Sequence, residues 1–192
     1  MHECRACDLY QGATQAVMGE GARRAEVMLV GEQPGDREDI EGHPFVGPAG
    51  RMLDQGLERA GISPRDTYIT NVVKHFRYKA RGKRRIHQKP DRWQINACLP
   101  WLHAELAVVK PTALVCLGAT AAQALLGPQV RIGRDRGRPM ESDLAELVTI
   151  TTHPSAILRS QEDADRAAAM EQFVDDLKTV ARWLRERRDG HR

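Results

Sequence analysis

Apolar residues in this chain gather in short runs that turn residues cut off. Residues 26–30, in AEVMLVGEQPG, are broken at once by Gly31, Pro34 and Gly35. That pattern predicts a buried strand running into a loop. In GPAGRMLDQGLERAGI (47–62) the spacing changes: Met52, Leu53, Leu57 and Ala60 share a helical face, and Gly61 closes it. DTYITNVV (66–73) is rich in β-branched residues and predicts a second strand. TALVCLG (112–118) predicts a third, leading into ATAAQALLG as a helix, and ELVTITTHPS (146–155) a fourth that ends in a loop. A helical stretch from about Asp91 contains Pro100, which is expected to kink or split it. The C-terminal stretch to Arg188 carries Phe173, Val174, Leu177, Val180, Ala181 and Leu184 on one face of an amphipathic helix.

Strands alternating with helices predict a mostly parallel, four-stranded sheet covered on both faces, a three-layer α/β/α sandwich. No repeat or linker divides residues 1–192, so one domain is expected. Ligands of such sheets bind outside the carboxyl ends of the strands. GEQPG, Asn71 and HPS all fall at that edge.

Charge adds a feature that periodicity does not show. Net charge is only +3, yet nine Lys/Arg and the single acid Asp91 lie between Lys74 and Arg92. This basic insertion, about residues 74–91, reads as a loop. It is either an electrostatic footprint for a polyanion or a solvated loop without a partner. The N-terminus, MHECRACDLYQG, has no apolar core of an export signal, and the uncharged stretch 112–130 is cut by Gly118, Gly127 and Pro128. A span needs ~20 apolar residues, so no membrane partner and a cytoplasmic location are expected.

Cys4 and Cys7 form a C-x2-C, while Cys98 and Cys116 lie 18 residues apart. Thiols at these positions suit zinc or an iron–sulfur cluster; Cys116, in an apolar run, also reads as a small core residue. The stretch 31–50 offers Glu32, Gln33 and Asp36, an aromatic platform in Phe45, and glycines opening a helix. It lacks the phosphate-loop pattern G-x-x-x-x-G-K-[ST]. HPSAILR places His153 at a strand end, with Ser155 and Arg159 available to phosphate. Trp93 and Trp101 read as core residues, and His75 and His103 as structural or surface residues.

Taken together, GEQPG…PFVGPAG, ITNVVK, the four cysteines and HPSAILR resemble the iron–sulfur, family-four uracil-DNA glycosylases over nearly the whole chain. GEQPG in place of the usual GEAPG, and KRRIH in the basic insertion, resemble the UdgX-type branch, whose members cross-link themselves to uracil-containing DNA. The resemblance implies the uracil-DNA glycosylase-like fold and a 4Fe-4S cluster on Cys4, Cys7, Cys98 and Cys116. It implies Phe45 stacked on uracil, Asn71 reading its edge, His153 at O2, and Gln33 and Asp36 holding base and sugar. His87 would attack C1′ of the sugar with Glu32 orienting it, while Lys83, Ser155 and Arg159 would meet DNA, and Arg84 and Arg85 would anchor the loop to the protein or to DNA phosphate. The implied partner is uracil-containing DNA, single strands favoured, with uracil as product and the protein a monomer.

Overall fold

The computed structural model describes residues 3–190. Four strands, β2 (Val27–Gly31), β3 (Thr67–Asn71), β6 (Ala113–Leu117) and β7 (Leu147–Thr151), run parallel in the order β3-β2-β6-β7. The expected four-stranded sheet gains a fifth member. β1 (Glu20–Gly21) pairs antiparallel with the outer edge of β3, capping an edge that would otherwise present unpaired backbone. Two residues are too few to carry an alternating signal, so the pattern does not reveal it.

Side chains alternate across the sheet and build two cores. Val27, Leu29, Val115 and Leu147 face α2 (Pro48–Ala60) and α7 (Asp163–Gly190). Met28, Val30, Leu114, Cys116 and Val148 face α3 (Arg92–Val109) and α4 (Ala119–Leu126). The three-layer sandwich is therefore the one the pattern predicts. α3 is a single helix through Pro100, because Cys98 before it and Leu102, Leu106 and Val109 after it pack into one core. Short helices α1 (Asp36–Glu41), α5 (Ile132–Asp135) and α6 (Pro154–Leu158) complete the chain. Among the described residues, no helix is long and apolar enough to cross a membrane.

The basic segment is not a loop. β4 (Tyr78–Arg81) and β5 (Arg84–His87) form an antiparallel hairpin, with Tyr78 opposite His87. Gly82, at φ 59°, opens its two-residue turn, where a left-handed first position suits glycine. Nor is Lys74 part of the basic surface. It is fully buried, and its Nζ donates to Glu105 Oε2 at 2.6 Å, Thr70 Oγ1 at 2.6 Å and the Asn71 carbonyl at 2.7 Å. Burial lowers its pKa while Glu105 opposes the shift.

Candidate active site

Chain order in the sheet reverses between β2 and β6, since β2 leads to β3 on one side and β3 leads to β6 on the other. A crevice outside the carboxyl ends of the strands is expected at such a switch point. The three loops read from the sequence meet there.

Asn71 ends β3 directly opposite Gly31 at the end of β2. It is buried, and its Oδ1 has no hydrogen-bond partner. An unpaired buried acceptor costs ~1–3 kcal/mol, which is tolerable where a ligand supplies the donor. Gly31 makes the arrangement possible: a Cβ there would lie 2.4 Å from Asn71 Oδ1 and 2.8 Å from Phe45 Cζ. Phe45 itself sits at φ 56°, a conformation uncommon outside glycine. Its carbonyl would be 1.5 Å from a Cβ at position 50, so Gly50 is required where the loop enters α2. The buried Glu38 carboxylate holds the same turn, accepting from Gly35 and from the backbone around Phe45 and Gly47. Burial raises its pKa against those bonds.

His153 lies across from Phe45, with ring centroids 5.9 Å apart. It caps α6: its Nδ1 accepts the Ser155 backbone N–H at 3.2 Å and lies 2.8 Å from Ser155 Oγ. Nδ1 is thus an acceptor, and the ring proton belongs on Nε2. Burial, then Arg159 and His87, lower the His153 pKa to about 4. The ring is a neutral donor at pH 7.

The hairpin brings His87 to this crevice by several ties. Gln33 Nε2 donates to the carbonyls of Arg77 and Gln88 at 3.1 Å each, and its Oε1 accepts Arg77 N–H at 3.0 Å. Arg85 reaches Asp36 at 2.5 Å and Asp39 at 2.6 Å, and lies over the rings of Phe76 and Tyr78. Gln33 and Asp36, expected at the base and sugar, are therefore engaged by the hairpin. Of the two anchorages expected for Arg85, protein or DNA phosphate, it takes the protein, at α1, whereas Lys83 and Arg84 are exposed.

His87 Nε2 stands 3.4 Å from Glu32 Oε1, and Glu32 Oε2 accepts a hydrogen bond from Thr120 on α4. That bond spans the switch point between β2 and β6. The imidazole is half-exposed. Burial lowers its pKa, Glu32 raises it in part, and Arg159 lowers it. Arg159 Nη1 also donates to Ser155 Oγ at 3.1 Å.

Cys7, Cys98 and Cys116 lie in or against the same core, between the sheet and α3. Burial pushes the Cys98 thiol up to about 11, with Cys7 and Cys4 near enough to contribute. Cys116 is pushed up to about 12 by burial alone. The thiols are the right donors for a cluster and collect on one side of the sheet. Among the described residues, however, no three or more His, Cys, Asp or Glu side chains are gathered ready for a metal.

Trp93 is 51% exposed, contrary to its expected place in the core, while Trp101 packs partly against the α3 side. Facing outward, Trp93 follows Arg92 in the first turn of α3, before the buried stripe begins. Sequence reasoning missed Glu38, Asp39, Thr120 and the Lys74–Glu105 pair. Only Asp39 had a visible cue, an acid on DREDIE four residues after Gly35 with basic residues to pair.

A family model described as the uracil DNA glycosylase superfamily matches residues 18–178. The type-4 uracil-DNA glycosylase of Pyrobaculum aerophilum is 37% identical over 181 residues, 91% of this chain and 86% of that protein. That of Thermotoga maritima is 36% identical over 172 residues, covering 89% and 86%. That of Archaeoglobus fulgidus is 33% identical over 185 residues, covering 92% and 86%.

Proposed function

Because this chain belongs to the uracil-DNA glycosylase superfamily and to its type-4 family, we propose that it excises uracil from DNA and is then captured on the abasic sugar through His87. One juxtaposition carries the capture step. His87, 3.4 Å from Glu32, lies close enough to His153 to lower its pKa, beside a pocket whose Asn71 Oδ1 lacks a partner.

Uracil flipped into this crevice stacks on Phe45 and presents N3–H to Asn71 Oδ1, while the amide nitrogen donates to O4. Cytosine reverses both polarities and leaves the amide unpaired, at ~1–3 kcal/mol per group. The N1–C1′ bond breaks with its electron pair leaving on uracil, and His153 Nε2–H donates to O2 where the charge collects. C1′ becomes electron-poor. The neutral His87 ring gives one nitrogen lone pair to C1′, and the imidazolium formed sheds its remaining ring proton to Glu32 or water. Tethering gives that nitrogen a large effective concentration over water, and the lowered pKa keeps the lone pair free at neutral pH.

Lys83, Arg84, Ser155 and Arg159 then meet backbone phosphate, which positions the strand without reading it. Single strands are the favoured substrate, since their bases cost less to unstack. The same reading assigns Cys4, Cys7, Cys98 and Cys116 to a 4Fe-4S cluster, a structural tie between the N-terminus, α3 and β6.

The test is a denaturing gel of protein with a labelled single-stranded oligonucleotide carrying one uracil, beside a thymine control. A uracil-dependent band that survives boiling, and that His87→Ser converts into free abasic DNA, is the expected result. Free abasic DNA from the unaltered protein would keep excision and remove capture.

A further inference from the structure

Past His87 the chain leaves the crevice and borders a second hollow that the excision chemistry does not use. A cavity of about 470 Å³ lies between the start of α3 and α4, walled by Lys89, Arg92, Asn96, Thr120, Gln123 and Ala124 among others. We propose that it holds the nucleotide next to the flipped uracil in the same DNA strand, with its phosphate against Lys89 and Arg92. The inference rests on the uracil-DNA reading and gives the strand a second anchoring point.

Its chemistry fits a nucleotide. Lys89 and Arg92 form no side-chain ion pair among the described residues, so their charge is free for a phosphate. Ile95, Ala124 and Pro128 supply an apolar wall for a base. Gln123 Nε2 is spent on the Val130 carbonyl at 3.1 Å, which leaves its Oε1 to accept from a base edge. The volume lies within the ~300–1,000 Å³ of small-ligand sites.

Its position fits a neighbour of the uracil. Thr120 belongs to the cavity wall and also donates to Glu32, the carboxylate facing His87. The rim is fastened to the hairpin as well. Arg77 Nη1 donates to the Lys89 carbonyl at 2.7 Å and pairs with Asp91 at 2.6 Å. A nucleotide lodged there is held by the frame that aims His87, so it anchors the strand beside the crevice without entering the chemical step.

The test compares single-turnover uracil release from a uracil-centred single-stranded nonamer by four proteins: unaltered, Lys89→Ala/Arg92→Ala, Ala124→Trp, and Arg182→Ala/Arg185→Ala. The first double variant removes the cavity's charge. Ala124→Trp fills its volume without touching charge, and the last removes equal charge from α7 on the opposite layer. Both cavity variants should raise the half-saturating oligonucleotide concentration about tenfold, with the maximal rate unchanged, while the α7 variant stays within about twofold. Cavity variants that match the α7 variant, with the unaltered protein still releasing uracil, would overturn the inference alone. No uracil release by the unaltered protein would overturn the function on which it rests.

Discussion

The pocket and the hairpin are built by opposite means. Asn71, Phe45 and His153 are fixed by backbone: strand register, a left-handed turn that Gly50 admits, and a helix cap. The groups proposed to recognise the base are neutral and largely dry, and the Lys74–Glu105 pair beneath them is fully desolvated on the lysine side. His87 is instead held at a half-exposed hairpin end by charge: Arg85 on Asp36 and Asp39, and Glu32 at the ring. Recognition of a small polar edge needs rigid, unpaired donors and acceptors. Delivery of a nucleophile needs reach, which a hairpin tied down at Arg85 supplies: its guanidinium spans from exposed Asp36 to buried Asp39.

The contrast is sharpest between two cations of the same basic stretch. Lys74→Met leaves Glu105 buried without its cation, and should cost ~3–5 kcal/mol, read as a lower urea midpoint. A near-unchanged midpoint would break the distinction between dry pocket and wet hairpin. Asn71→Leu should slow uracil release roughly 5- to 150-fold through loss of ~1–3 kcal/mol of edge recognition, with folding retained; single-turnover rates check it. Next in size is a pH effect. The proposed nucleophile His87 can attack only when neutral, so the proposed capture should decline as pH falls through its lowered pKa. Burial, and then Arg159 and His87, keep His153 a neutral donor until pH nears about 4. From neutral pH downward, the cross-linked share of product should therefore fall before total uracil release does. Parallel decline of the two would contradict the separate roles. The smallest effect belongs to Arg84→Ala, which should shift stability by under ~0.5 kcal/mol and weaken DNA binding mainly at low salt.

Legibility followed the same division. The pocket's loops could be read because each leaves a strand whose apolar run is plain, and register then forces Gly31, Asn71 and His153 to one edge. The hairpin's strands could not, because FRYKARGKRRIH has no apolar alternation; cross-strand backbone pairing and the stacking of Arg85 on Phe76 and Tyr78 hold them. Its one cue was Gly82 at the turn. Gln33 and Asp36 carry polar groups that suit a base equally well, and only tertiary contact shows them tied to the hairpin. Thr120 and Glu105 meet partners far along the chain, which no local pattern records.

The most direct test of covalent delivery is mass analysis of the cross-linked protein after digestion with trypsin and nuclease. A deoxyribose-phosphate adduct on the peptide Ile86–Arg92, localised to His87, is the expected result. An adduct on any other residue, or unmodified peptide alongside accumulating abasic DNA, would contradict it.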